Sequence, residues 1–276
     1  MRKAILFTVA IFALISCRSQ DLIRPGDTLE VAFNKAKAQY DDEEWSAAAD
    51  AFETVVSIGR GTDLGQDAQY YLAESYFNNQ RYLLAASEYD RYASFYPRSE
   101  RVQEVEFKAA ACYYQLSPRY RLDQTYTRQA LERLRLFNSR YPDSERVAAA
   151  SEYITELRNK LARKKYEAAE FYKRTERFSA AVVYYDLVLD NYPESKWAEE
   201  ALVDQIEAYI LYADNSIPSS QLGRYESAVS SYETYLQLFP DGDNRSRAED
   251  LYDRARREIE SIDASSGNSG TVAENE

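Results

Sequence analysis

The chain repeats one short pattern four times, and that pattern decides its fold class. An alanine is followed four residues later by an apolar or aromatic residue and twelve residues later by proline: Ala85, Tyr89, Pro97; Ala130, Leu134, Pro142; Ala181, Tyr185, Pro193; and Ala228, Tyr232, Pro240. A fifth copy, Ala48 with Phe52, has Arg60 where the proline would fall. An aromatic residue stands three before the alanine at Trp45, Tyr82, Phe178 and Tyr225, while the third copy has Thr127 there. Residues three and four apart share one face of a helix, so these side chains form a single apolar stripe. The small alanine lets a neighbouring helix come close, and the rings fill the space around it. Proline ends the element because it lacks an N–H and disfavours helix at the preceding residue. That preceding residue is Tyr96, Tyr141, Tyr192 or Phe239, and the Ser or Asp just beyond suits the start of another helix.

A partner helix precedes each stripe, as Ala36 and Tyr40, Leu72, Ala73, Tyr76 and Phe77, or Ala169 and Tyr172 illustrate. Helix–turn–helix units with these offsets resemble tetratricopeptide repeats (TPRs). The expected fold is therefore all-α: a TPR solenoid of five helix pairs plus a capping helix over Arg245–Ile259. Successive alanines are 37, 45, 51 and 47 residues apart, longer than the usual repeat of about 34. Loops at Leu116–Tyr126 and Asp214–Arg224 account for two of the long steps. Arg146–Arg174 contains no Pro or Gly and reads as one extended helix joining two sub-arrays. The expected organisation is a signal peptide (1–16), a lipidated tether (17–28), repeats 1–3 (29–143), repeats 4–5 with the capping helix (144–260), and a disordered polar tail (261–276).

The first residues carry an export signal. Arg2 and Lys3 precede an apolar run from Ala4 to Ile15. As a helix this run spans roughly 18 Å, too short for a hydrocarbon core of about 30 Å, so it reads as a cleaved signal peptide. Leu14-Ile15-Ser16-Cys17 resembles the bacterial lipobox. That resemblance implies acylation of Cys17, with the acyl chains as the chain's hold on the membrane. Arg18, rather than Asp, follows the cysteine, which favours the outer membrane. The other cysteine, Cys112, lies in an apolar stretch and reads as a small core residue.

Removing Arg2 and Lys3 leaves 32 basic residues against 46 acidic ones. Such a chain is repelled by phosphate backbones and anionic lipid surfaces, which excludes nucleic acid as a partner. There is no histidine, and no phosphate loop or nucleophile elbow occurs. No enzyme activity, cofactor or metal site is expected. The acidic run Asp41-Asp42-Glu43-Glu44 reads as a solvated turn. Recognition remains, and TPR arrays recognise peptides on the concave face made by their first helices. With that geometry Phe33, Lys37 and Tyr40, then Tyr70, Glu74 and Phe77, then Tyr113 and Tyr114 are the candidate groove residues. Each of these rings either faces a peptide or seals adjacent repeats.

Two longer stretches carry a more specific resemblance. Residues 121–130, Arg-Leu-Asp-Gln-Thr-Tyr-Thr-Arg-Gln-Ala, and residues 160–172 with Ala180-Ala181 and Asn191-Tyr192-Pro193 are similar to the third-repeat insertion and long fourth-repeat helix of the BamD family. These are lipoproteins of outer-membrane β-barrel assembly. The likeness runs from about residue 28 to 245, and it implies a non-catalytic scaffold on the periplasmic face of the outer membrane. The implied partners are a β-barrel insertase, through its periplasmic domains, and the C-terminal segments of unfolded outer-membrane proteins. Asp123, Gln124 and Thr125 are the candidate docking residues for a partner. This chain departs from the family pattern in its missing first-repeat proline, its longer fifth-repeat insertion and its polar tail. The alternative is another periplasmic TPR scaffold, one that coordinates envelope or cell-division machinery.

Overall fold

The computed structural model describes residues 22–272, with side chains described to residue 265. The predicted signal peptide and Cys17 lie outside the described residues. The chain divides into two compact units, one ending at Gln115 and the other beginning at Leu116. Among the described residues there are eleven helices and no strand, and no helix is long and apolar enough to cross a membrane. The repeat stripe is the core of both units: Ala48, Ala85, Ala130, Ala181 and Ala228 are all fully buried. A larger side chain at such a crossing would overpack it, at about 1–3 kcal/mol.

The first unit contains α1 (Leu29–Asp41), α2 (Trp45–Ile58), α3 (Asp63–Asn78), α4 (Tyr82–Phe95) and α5 (Val102–Leu116). Thr28 caps α1 by accepting the Val31 N–H, and Thr62 caps α3 by accepting that of Gly65. Each is backed by a first-turn carboxylate, Glu30 or Asp63. The pairs α1–α2 and α3–α4 turn through Glu43 and Gln80, non-glycine residues held at φ 60° and 58°. Around Gln80, the Gln80 and Arg81 N–H groups donate to the carbonyls of Phe77 and Tyr76, closing the end of α3. The acidic run at residues 41–44 is the exposed α1–α2 turn. Where the first repeat lacks proline, Gly59-Arg60-Gly61 makes the turn instead. Gly61 sits at φ 82°, and a Cβ on Gly65 would lie 1.9 Å from the Gly59 carbonyl oxygen. Cys112 is fully buried in this core.

The second unit contains α6 (Thr125–Arg140), α7 (Val147–Arg174), α8 (Phe178–Asn191), α9 (Ala198–Asp214), α10 (Pro218–Leu238) and α11 (Arg245–Val272). Consecutive helices pack in sequence, and α11 also lies against α9. The α7–α8 turn repeats the geometry of the first unit, with Glu176 at φ 58°. In both units the helices that precede the prolines end alike. Tyr96, Tyr141, Tyr192 and Phe239 each donate their N–H to the carbonyl four residues back and then leave helical geometry.

Four features differ from the sequence reading. The long helix α7 belongs wholly to the second unit, and the division falls between α5 and α6. The N-cap of α7 is Arg146; Ser144 stands two residues earlier and accepts the Arg146 N–H. The expected loop at Asp214–Arg224 is mostly helix, because Pro218 occupies the first helical turn, where its fixed φ and missing N–H cost nothing. Tyr225 Oη donates to Asp214 at 2.6 Å, and the Arg224 guanidinium lies 3.6 Å above the Tyr212 ring, fixing that extra length. Finally, α11 runs on to Val272 through residues assigned to the polar tail. Ile262 packs on the core there, and no Pro or Gly interrupts residues 261–265.

Candidate functional site

The first helices of the first unit carry a band of rings and cations. On α1, Phe33 meets Phe52 (5.8 Å between centroids) and Tyr71 (6.1 Å), while Tyr40 meets Tyr71 and Trp45, both at 5.1 Å. Lys37 ion-pairs with Asp41 and holds its ammonium 5.6 Å from the Tyr40 ring and 5.2 Å from that of Tyr71. On α3, Tyr70 packs edge-on to Tyr71 (5.6 Å) and donates its hydroxyl to Glu104 of α5 (2.7 Å). The Arg101 guanidinium (4.8 Å) and the Lys108 ammonium (5.3 Å) lie over the Tyr70 ring. Burial, the Glu74 charge and the bond to Glu104 push the Tyr70 hydroxyl well above its usual pKa, so it remains a neutral donor.

The eight predicted groove residues thus fall into four settings. Phe33, Lys37, Tyr40 and Tyr70 share the ring-and-cation band. Phe77 packs against Tyr82 at the helix turn (5.4 Å). Glu74 is 8% exposed; its carboxylate accepts the Tyr89 hydroxyl and ion-pairs with Lys108 at 2.6 Å, so it is engaged inside the unit. Tyr113 and Tyr114 on α5 are half-buried, and Tyr113 packs on the core. Sequence reasoning missed Tyr71, Arg101 and Lys108. The i,i+4 pair Glu104–Lys108 (3.2 Å) was the visible signal for the last of these.

The three predicted docking residues build a loop. Gln124 is 2% exposed. Its amide donates to the carbonyls of Arg119 (2.9 Å) and Leu122 (3.1 Å), and its oxygen accepts from Thr127 (2.7 Å). Asp123 accepts the Thr125 N–H at 2.8 Å, and hydrogen bonding from the Thr125 hydroxyl and then from this N–H holds its carboxyl below the ordinary carboxylate range. Asp123 and Thr125 are exposed; Gln124 is the latch behind them.

The second unit holds a denser ionic cluster. Asp204, 3% exposed, accepts from Tyr166 (2.6 Å), Lys173 (3.0 Å) and Arg247 (2.6 Å), joining α9 to α7 and α11. Lys173 also pairs with Glu170 (2.8 Å) and Glu207 (3.1 Å), and Glu170 accepts the Tyr185 hydroxyl. Burial disfavours the charged form of Asp204, yet the Tyr166 hydrogen bond and the two cations together hold its carboxyl below the usual value.

Helix pairs with buried alanines at each crossing, aromatic stripes and proline stops define a helical-repeat protein of the tetratricopeptide class. The family model described as "YfiO: Outer membrane lipoprotein" matches residues 25–221, and the chain belongs to that family. It is 25% identical over 182 residues to "Outer membrane protein assembly factor BamD" of Caulobacter vibrioides, covering 66% of this chain and 60% of that relative. To the protein of the same name from Vibrio cholerae it is 22% identical over 243 residues, covering 84% and 96% of the two chains. Among solved structures, the TPR2AB domain of yeast Sti1 aligns with a TM-score of 0.40 and 14% identity, over 84% of this chain and all of that one.

Proposed function

We propose that this protein is a non-catalytic, lipid-anchored scaffold of outer-membrane protein assembly, working on the periplasmic face of the outer membrane. Cys17 is the proposed acylation site. Family membership and the assembly-factor relatives supply the setting. The observation that carries the molecular role is the band of Phe33, Tyr40, Tyr70 and Tyr71 interleaved with Lys37, Arg101 and Lys108. An extended peptide that ends in an aromatic residue and a carboxylate needs both kinds of contact, ring against ring and cation against the terminal charge. The C-terminal segment of an unfolded outer-membrane protein has that chemistry. The proposed standing partner is a β-barrel insertase, contacted through its periplasmic domains.

One experiment with two readouts tests this. Captured from detergent-solubilised outer membrane, the protein should bring down a β-barrel insertase as its main stoichiometric partner. In the same preparation, Tyr70→Ala with Phe77→Ala should weaken a barrel C-terminal peptide by about tenfold while the helical circular dichroism persists. Absence of the insertase would remove the assembly role, and unchanged peptide affinity would discard the groove.

A further inference from the structure

The second unit contains a pocket that none of the predicted site residues lines. It has a volume of about 450 Å³ and is bounded by the loop before α6, the middle of α7 and the turn before α9. Arg119 and Tyr120 come from the loop, Lys160 and Arg163 from α7, and Lys196 and Trp197 from the turn. The chain builds this wall deliberately. Lys160 donates to Ser117 Oγ at 2.7 Å, and the Lys196 N–H donates to Asn159 at 3.0 Å, pinning loop and turn to α7. Gln124 latches the same loop from behind. The Arg163 guanidinium lies 4.3 Å above the Tyr120 ring and 5.4 Å from that of Trp197, and the Lys196 ammonium lies 5.7 Å from Trp197.

The charge balance is what makes this pocket unusual. The chain as a whole carries a formal charge of −12, yet four cations converge on this pocket. Here Arg163 pairs with Glu167 at 3.3 Å, but no carboxylate forms an ion pair with Arg119, Lys160 or Lys196 among the described residues. Burial lowers the Lys160 pKa against the opposing pull of the Glu156 charge. We infer that this pocket binds a short acidic segment of a partner protein, with Asp or Glu beside an apolar or aromatic residue. The cations receive the carboxylates, and Tyr120 and Trp197 receive the neighbouring side chain. Glu156 also lines the pocket, which weighs against a doubly charged phosphate more than against a single carboxylate. The negative body around the pocket repels an extended polyanion or an anionic bilayer, while a short segment can enter. This inference rests on the second unit alone and stands or falls separately from the peptide groove.

The test uses the full mature chain and a labelled short peptide of glutamates flanking a phenylalanine, with its glutamine counterpart as control. The acidic peptide should bind and change the Trp197 fluorescence, against a Trp197→Phe baseline that retains Trp45. The glutamine peptide should bind about tenfold more weakly, as should Lys160→Gln with Lys196→Gln. Lys196 is exposed, so Lys196→Gln alone keeps the fold and should weaken binding about threefold. Equal affinity for both peptides, or for wild type and Lys196→Gln, overturns the inference. So does a pocket that ignores the peptide but takes inorganic phosphate, or retains anionic vesicles through the same lysines.

Discussion

The two units solve the same packing problem with opposite arrangements of charge. Ala85 and Ala181 are equivalent repeat positions, and the same offset relates Tyr70 to Tyr166, Glu74 to Glu170 and Tyr89 to Tyr185. In each unit the later tyrosine donates to the glutamate fifteen residues before it, Tyr89 to Glu74 and Tyr185 to Glu170. The frame diverges at the next helix, where Lys108 in the first unit corresponds to Asp204 in the second. The cation that neutralises the glutamate therefore comes from α5 in one unit (Lys108 to Glu74, 2.6 Å) and from α7 itself in the other (Lys173 to Glu170, 2.8 Å). Lys173 stands where the first unit has Phe77. Similarly, Arg101 over Tyr70 is replaced by Trp197 against Tyr166, at 5.2 Å. The tyrosine hydroxyls need acceptors in both units, but the second unit has the charged Lys173 where the first keeps the aromatic Phe77. This difference is the physical reason the aromatic-ended peptide is proposed for the first unit rather than the second.

The comparison breaks most directly at the carboxylates. Asp204→Ala would strip two cations and the Tyr166 hydroxyl of a shared buried acceptor. It should cost about 3–5 kcal/mol in urea-induced unfolding. Lys108→Met leaves Glu74 its bond from Tyr89, and the lysine is 27% exposed, so about 1–3 kcal/mol is expected. Equal losses would mean that the extra cation in the second unit contributes nothing.

Acid sharpens the same contrast. The carboxyl of Asp204 is held below its ordinary value of 3.8 in the folded chain. A depressed carboxylate stabilises fully above its unfolded pKa, and that contribution is lost as pH falls through the folded one. The Asp204 contribution should therefore be constant near neutrality and decline below about pH 4. Urea titrations over that range should show a steeper loss for wild type than for Asp204→Asn. Parallel pH profiles would show that Asp204 is not held charged.

Much of this architecture was legible because the repeat constrains it twice, by alanine at the crossing and by proline at the stop. Ala85, Ala181 and Ala228, and the helix ends at Tyr96, Tyr192 and Phe239, were readable on that basis. Residues with two competing uses were not. The long repeat step reads as a loop over Asp214–Arg224, but Pro218 within it is equally at home in the first turn of a helix. Gln124 is a docking candidate through the family resemblance, while in the structure its amide and carbonyl serve two carbonyls of its own loop and the Thr127 hydroxyl of α6. The basic pocket escaped notice because Arg119, Lys160 and Lys196 are far apart in sequence, and only the docking of the loop on α7 brings them together.

The smallest expected effect tests whether the two units still share their helix turn. Gln80 and Glu176 occupy the same turn position, both at φ 58°, where a Cβ sits too close to the following carbonyl and glycine does not. Gln80→Gly and Glu176→Gly should each relieve that strain. Glycine also raises the entropy of the unfolded chain, so the net gain is held to about 0.5–1 kcal/mol, or a few degrees in Tm. If the turn is equivalent, the two substitutions should stabilise by the same amount despite the reversed charges nearby. A gain at Gln80 with a loss at Glu176 would show that the Lys173 cluster, whose lysine carbonyl accepts the Glu176 N–H at 3.1 Å, depends on that side chain's conformation, and the equivalence would end at the turn.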